Sequence, residues 1–187
     1  MCTYEIMTAV EPLTKEELNL HTDMADDCAS VYVGTYHKYN CGSLEGAWVN
    51  LETFYDEEEL MEFLHRLHAD ESDPEFMIQD YMNFPRRFYS ESMNKDDFAK
   101  LFEWLNLDEE KREMCEEYWN EIGEDASVER IVESLVYSGN SDDYFDELAD
   151  EALSNAPECL RNCFDYEKWR KNCAYDYNVT SNFVFTL

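Results

Sequence analysis

Acidic side chains occur along the whole of this chain, and their mutual repulsion is the main constraint on what it can fold into. Its 187 residues include 44 Asp and Glu against 14 Lys and Arg, which gives a formal net charge of −30. The charge is negative in each of the segments 1–29, 30–85, 86–135 and 136–187, so no single acidic tail accounts for it. Such a surface repels nucleic-acid phosphates and anionic membranes and favours cationic partners or metal ions.

The apolar content predicts that this acidic chain folds. High net charge is typical of disordered chains, but disordered chains are poor in apolar residues. Here hydrophobic residues make up 44% of the chain and aromatic residues 15%. These side chains can form packed cores. We therefore predict a folded protein with a strongly acidic surface.

The cysteines and the N-terminus predict a cytoplasmic protein. Seven cysteines, an odd number, are scattered along the chain, which suits a reducing compartment better than a disulfide framework. Residues 1–10 lack the basic region and apolar run of a signal peptide. No stretch approaches 18 uninterrupted apolar residues, so we expect no membrane span.

The succession of β-rich and helical segments predicts an α+β fold, built as an elongated chain of three small units. Residues 1–29 have little to bury, and we expect an extension that is poorly structured or forms a short helix. Residues 30–85 are predicted to form a three-stranded antiparallel sheet with one helix. The strands are expected at 31–36, 46–49 and 76–81.

Helical periodicity and capping residues dominate the rest of the chain. Asp56 is expected to cap the helix of the first unit. Residues 86–126 are predicted to form a central helical bundle, and residues 127–187 a unit of helices with a small antiparallel sheet. In this last unit Ser141 is expected to cap a helix, and 178–182 to form a hairpin turn.

One segment of the last unit, 131–137, fits helix or strand equally well. Its residues Ile-Val-Glu-Ser-Leu-Val-Tyr are too short a run for periodicity to decide. We therefore leave both alternatives open for this segment on its own pattern.

The motifs of metal sites and enzymes are missing from the sequence. The run 70–73 is followed by Pro74 and lacks the glycine of a calcium-binding loop. Cys159 and Cys163 are spaced as a C-x3-C pair, but all four histidines lie before residue 69. There is no nucleophile elbow, phosphate loop or dinucleotide fingerprint, and only five glycines. We predict no enzymatic activity, no cofactor and no metal.

The charge itself then becomes the candidate functional feature. Surface acids can serve solubility or salt adaptation alone, but a halophilic protein would also be poor in large apolar residues. B-DNA carries one negative charge per ~1.7 Å of axis, so thirty charges correspond to about 51 Å, or roughly 15 base pairs. Only an elongated protein can spread its charges in this way, and three units in series would do so.

Several motifs made mostly of uncharged residues resemble the ArdA antirestriction family. They are 31–36 (Val-Tyr-Val-Gly-Thr-Tyr), 39–42 (Tyr-Asn-Cys-Gly), 46–51 (Gly-Ala-Trp-Val-Asn-Leu), 75–81 (Glu-Phe-Met-Ile-Gln-Asp-Tyr), 157–167 (Pro-Glu-Cys-Leu-Arg-Asn-Cys-Phe-Asp-Tyr-Glu) and 183–185 (Phe-Val-Phe). The resemblance extends over residues 30–187. The helical middle of the chain resembles the family in character more than in individual residues.

This resemblance implies a DNA mimic. It implies that the protein occupies the DNA-binding groove of type I restriction-modification enzymes, formed by the methyltransferase core and its DNA-specificity subunit, and so protects incoming mobile DNA. It also implies a homodimer formed through the C-terminal part, and a strand at 131–137. No nucleic acid or membrane is expected as a partner.

The mimicry that the resemblance implies gives the acidic residues their expected role as substitutes for phosphates. The candidates are Glu57, Glu58, Glu59, Glu62, Asp70, Glu71, Asp73, Glu109, Glu110, Glu113, Glu116, Glu117, Asp142, Asp143, Asp146, Glu147, Asp150 and Glu151. Acids in the first turn of a helix also interact favourably with the helix dipole, so part of this set has a structural alternative.

The chain departs from the family pattern at two places, the extension 1–29 and the adjacent bases Arg170 and Lys171, where one base followed by an acid is usual. The main rival hypothesis is an acidic adaptor that binds a basic cytosolic protein without DNA-like shape. A calcium-binding protein is a third class.

Overall fold

The computed structural model describes residues 11–23, 25–123 and 125–187, and it confirms a mixed fold of helices and antiparallel sheet. The helices are α1 (Lys15–Thr22), α2 (Tyr36–Asn40), α3 (Glu57–Leu67), α4 (Lys95–Leu105), α5 (Glu109–Glu121), α6 (Val128–Ser134), α7 (Ser141–Leu153), α8 (Glu158–Arg161) and α9 (Tyr166–Cys173). The strands are β1 (Ser30–Thr35), β2 (Ala47–Asn50), β3 (Phe76–Met82), β4 (Leu135–Ser138), β5 (Tyr177–Val179) and β6 (Phe183–Thr186), and 3₁₀ turns lie at Leu51–Thr53, Arg86–Phe88 and Ala174–Asp176.

Contacts divide the described residues into two compact units, with the boundary between Leu105 and Asn106. The first unit contains α1 to α4 and the sheet β2-β1-β3, and the second contains α5 to α9 and the sheet β4-β6-β5. Helices α4 and α5, which the sequence analysis assigned to one central bundle, thus belong to different units. The division into three units remains a prediction.

The first sheet follows the alternation of its sequence. Val31 and Val33 of β1 and Val49 of β2 are completely buried, because alternate residues of a strand face the same side. Both neighbouring strands pair antiparallel with β1, as predicted. Gly46 precedes β2 where a Cβ would lie 2.4 Å from the Val33 carbonyl oxygen, so this close approach requires glycine.

The N-terminal extension contains helix α1, which is attached to the first unit. Thr14 and Glu17 form a capping box at its start. Glu17 also forms a 2.9 Å ion pair with Arg66, and the backbone and side-chain hydrogen bonds from Thr14 together with Arg66 lower the pKa of Glu17 to about 2. His21 stacks on Phe54 with a ring separation of 4.3 Å. The prediction that no signal peptide is present concerns residues 1–10, which lie outside the described residues.

The second unit has its core around β6, the central strand of its sheet. Phe183, Val184 and Phe185 are buried, and the Phe185 ring meets the Tyr118 ring of α5 at 4.9 Å. Strands β5 and β6 flank residues 180–182, so a hairpin turn lies within the predicted 178–182, but it is shorter than predicted because Asn178 and Val179 pair with β6.

Two details of the second unit correct the sequence analysis. The segment 131–137 is neither all helix nor all strand: α6 ends at Ser134 and β4 begins at Leu135, which pairs with Phe185. The change occurs there because Ile131 is buried on the helix side whereas the residues from Leu135 onward belong to the sheet. The N-cap of α7 is Asn140 rather than Ser141, since the Asn140 side chain accepts the Asp142 backbone N–H at 2.8 Å.

Candidate functional site

The candidate carboxylates lie on four elements, two in each unit. In the first unit they belong to α3 and the loop that follows it, and in the second unit to α5 and α7. Fourteen of the 18 candidates are exposed, and Glu57, Glu71, Glu117 and Asp146 are half-buried. The candidates differ in whether their carboxylate already makes a hydrogen bond or ion pair within the protein.

At the start of α3, two of the four candidates have internal partners. Asp56 caps the helix by accepting the Glu59 backbone N–H at 2.9 Å, as the sequence predicted. In return the Glu59 carboxylate accepts the Tyr55 backbone N–H at 2.7 Å. Glu58 forms an ion pair of 2.6 Å with Lys95 of α4. Within the described part of the chain, the carboxylates of Glu57 and Glu62 make no hydrogen bond or ion pair.

The loop after α3 holds a polar cluster in which Asp70 and Glu71 are engaged. Lys38 lies 3.0 Å from Asp70, and its hydrogen bond lowers the pKa of that carboxyl. Glu71 accepts the hydroxyl of Thr35, at the end of β1, at 2.6 Å. These contacts attach the loop to α2 and to the end of β1. Of the three candidates in the loop, the exposed Asp73 alone has no partner among the described residues.

Beside this loop, His68 is buried and stays neutral. Its side chain is 2% exposed, and its Nδ1 lies 3.3 Å from the Lys38 ammonium, which can only donate. Burial first, and then the Lys38 charge, lower the pKa of His68. A neutral histidine beside a lysine that is itself paired serves packing here. Among the described residues no group of three His, Cys, Asp or Glu side chains is placed to hold a metal ion.

Helix α5 presents a row of carboxylates that the protein does not use. Glu109, Glu110, Glu113 and Glu116 are exposed and make no side-chain hydrogen bond or ion pair within the described residues. The opposite side of the helix is buried in the unit. Residues three or four apart share a face, with about 5–6 Å between their Cβ atoms, so Glu109, Glu113 and Glu116 form one acidic stripe facing solvent.

Glu117, on the same helix, holds the β5–β6 hairpin. Its carboxylate accepts the backbone N–H of Asn182 at 2.7 Å and the side-chain amide of Asn182 at 2.8 Å. One turn later, Glu121 accepts the backbone N–H of Ser181 at 3.1 Å and the Ser181 hydroxyl at 2.9 Å. Burial raises the pKa of Glu117, but hydrogen bonds from Thr180, Asn182 and Ser181 outweigh it and hold the pKa below its usual range.

Helix α7 divides its six candidates into two stripes of different character. Asp142, Asp146 and Asp150 face α9, whereas Asp143, Glu147 and Glu151 are exposed and unpaired within the described residues. The predicted continuous acidic edge is therefore split lengthwise.

The stripe that faces α9 is engaged by Arg170 and Tyr166. Arg170 donates from Nε to Asp146 at 2.7 Å and from a terminal nitrogen to the other oxygen of that carboxylate. Its Nη1 lies 3.4 Å from Asp142. The Tyr166 hydroxyl donates to Asp150 at 2.5 Å. The first of the two adjacent bases that depart from the family pattern is thus an internal partner of α7.

The second base, Lys171, has no role on α7. It pairs with Glu167 at 2.7 Å, four residues earlier on α9, and both side chains are largely exposed. The two neighbouring bases therefore differ: Arg170 neutralises part of the acidic surface, and Lys171 interacts only within its own helix.

Single acids on other helices extend the free acidic surface. Asp96 and Glu103 of α4, and Glu129 and Glu133 of α6, are exposed and make no side-chain hydrogen bond or ion pair to a described residue. The sequence analysis missed them, although Asp96 stands beside Asp97 in a short acidic run. The signal that could have found them is the position of each acid opposite the buried face of its helix.

Comparison with known proteins places this surface in a family context. Residues 31–184 match the family model described as Antirestriction protein (ArdA). The match covers most of the chain and begins after the N-terminal extension. No curated protein matches the sequence. Among the described residues no helix is long and apolar enough to cross a membrane.

Proposed function

The chain belongs to the ArdA antirestriction family, and on that premise we propose that it inhibits type I restriction-modification enzymes by mimicking DNA. The observation that carries the proposal is the set of exposed helical carboxylates with no internal partner in the described residues. They occur in both units, chiefly on α5 and on the outer stripe of α7, which consists of Asp143, Glu147 and Glu151. Because the protein does not use them to stabilise its own fold, their charges are available to a cationic groove.

The proposed partner surface is the DNA-binding groove of the methyltransferase core with its DNA-specificity subunit. Such a groove binds a polyanion through Lys and Arg, and the affinity depends steeply on salt. A protein with a net charge of −30 can make the same contacts. By occupying the groove it would exclude DNA and protect incoming mobile DNA from restriction in the cytoplasm, without catalysis or a cofactor.

We also propose that the protein acts as a homodimer formed through its C-terminal unit, as the family resemblance implies. Support comes from the second sheet, in which β4 and β5 are edge strands. On β4, Val136 is 39% exposed. An edge strand with an exposed apolar residue can pair with a second copy of itself.

A mobility-shift competition tests the proposed function. The protein is titrated into a type I methyltransferase bound to a labelled DNA duplex, at low and at high salt. We expect the DNA to be displaced, with an inhibitory concentration that rises strongly with salt. No displacement at low salt from several type I enzymes would refute the proposal. Displacement that does not change with salt would refute its electrostatic basis.

A further inference from the structure

A guanidinium group already sits on the acidic surface of α7. Arg170 reaches both oxygens of the Asp146 carboxylate and lies 3.4 Å from Asp142. Such two-pronged contact is the geometry in which arginine recognises a carboxylate, and a lysine ammonium cannot reproduce it. The chain itself therefore shows which ligand these two aspartates fit.

We propose that Asp142 and Asp146 form a binding site for an arginine of the partner, and that Arg170 fills this site until that arginine displaces it. The inference rests on the proposed function. It adds to that function the class of ligand, a guanidinium group, and a state of the free protein in which Arg170 covers the two carboxylates. In the free protein only the outer stripe of α7 is available. In the complex Asp142 and Asp146 also bind the partner, provided that the partner presents a guanidinium group at this place.

The exchange requires only the movement of one side chain. The side chains of Arg170 and Asp146 are 33% and 32% exposed, so solvent and an incoming group can reach the pair. Partly exposed ion pairs contribute modestly to stability, and the two-pronged geometry puts this pair at the upper end of their range. Hydrogen bonding from Arg170 lowers the pKa of Asp146, as expected for an ionised carboxylate that accepts from a guanidinium.

Helix α9 has other attachments to α7, so it need not leave when Arg170 does. The Trp169 indole N–H donates to the Phe145 carbonyl oxygen at 2.8 Å. The Tyr166 hydroxyl donates to Asp150. Both contacts are made by residues that precede Arg170 on α9, and neither involves the guanidinium. Arg170 can therefore swing outward while α9 remains docked.

Lys171 offers a matched control for this proposal. R170Q and K171Q each remove one positive charge, from adjacent positions of the same helix. Only R170Q unmasks Asp142 and Asp146, because Lys171 pairs with Glu167. In the competition assay we expect R170Q to displace DNA at a concentration about three- to fivefold lower than K171Q, the range that a partly exposed ion pair corresponds to. The double variant R170Q/D146N should lose this gain.

The outcomes separate the inference from the proposed function. If the wild type displaces DNA but R170Q and K171Q are equal, the inference is overturned and the proposed function stands. If the wild type displaces no DNA, the proposed function fails and the inference fails with it.

A measurement on the wild type does not depend on how the variants fold. The Arg170 Nε–H resonance is followed by nuclear magnetic resonance while a hexa-arginine or a hexalysine peptide is added. We expect hexa-arginine to shift this signal at a several-fold lower concentration than hexalysine. Equal responses, or a signal that does not move, would overturn the proposal.

Discussion

The two roles of carboxylates on α5 lead to a prediction that compares neighbours on one helix. Glu117 binds Asn182 of the β5–β6 hairpin through two hydrogen bonds, of 2.7 and 2.8 Å. Glu113, one turn earlier, is exposed and makes no side-chain contact of this kind within the described residues. We expect Glu117→Ala to destabilise the protein and Glu113→Ala to leave its stability almost unchanged.

The expected size of the difference follows from the two hydrogen bonds. A hydrogen bond to a charged group contributes about 1.5–3 kcal/mol, and the half-buried position of Glu117 favours the lower end. Loss of both bonds should cost about 3 kcal/mol, and the better helix propensity of alanine returns a few tenths of a kcal/mol. The free energy of unfolding should therefore fall by about 2–3 kcal/mol for Glu117→Ala. For Glu113→Ala we expect a change within about 0.5 kcal/mol.

Urea unfolding followed by circular dichroism measures this difference, and its pH dependence provides a second check. The pKa of Glu117 is lower in the folded than in the unfolded state, since the hydrogen bonds outweigh burial. Its contribution is therefore full above the unfolded pKa of about 4.5 and is lost as the pH falls through the folded pKa. The gap between wild type and Glu117→Ala should be large at pH 7 and should shrink under acid conditions. Equal stabilities of the two alanine variants at pH 7 would refute this reasoning.

Two further predictions concern α1 and the sheet edge. Burial lowers the pKa of His21, so its neutral form favours docking, and the protection factors of the α1 amides, measured by hydrogen exchange, should fall as the pH falls below 6.5; His21→Phe should remove this dependence, and an unchanged profile in that variant would contradict the assignment. Val136→Lys places a charge on the exposed edge of β4. We expect it to raise the dimer dissociation constant, measured by sedimentation equilibrium, by at least tenfold. An unchanged dissociation constant would exclude this edge from the dimer interface.

Local patterns were enough to predict most elements of the fold. Alternation predicted the strands of the first sheet, and Asp56 was expected as a helix cap and acts as one. The boundary between α6 and β4 could not be predicted in this way. The segment 131–137 contains the end of one element and the start of the next, and the change is fixed by pairing of Leu135 with Phe185, some 50 residues later.

The candidate site was predictable as a set of acids, but not in its division into free and engaged groups. Glu113 and Glu117 look alike in sequence, and both are glutamates in the same acidic helix. The partner of Glu117 is Asn182, 65 residues away, and the partner of Asp146 is Arg170, 24 residues away. Helical spacing cannot reveal such contacts, because they depend on which elements pack together.

This division changes what the net charge means for function. A carboxylate that accepts a backbone N–H contributes to the fold and has fewer lone pairs left for a partner, and one that pairs with an arginine also has its charge neutralised. The formal charge of −30 counts these groups equally with the free ones. A DNA mimic should therefore be judged by the exposed carboxylates without internal partners, such as Glu109, Glu113 and Glu147. By the same reasoning, Arg170 affects the acidic surface more than its single charge suggests, since its displacement would free the carboxylates of Asp142 and Asp146 for a partner.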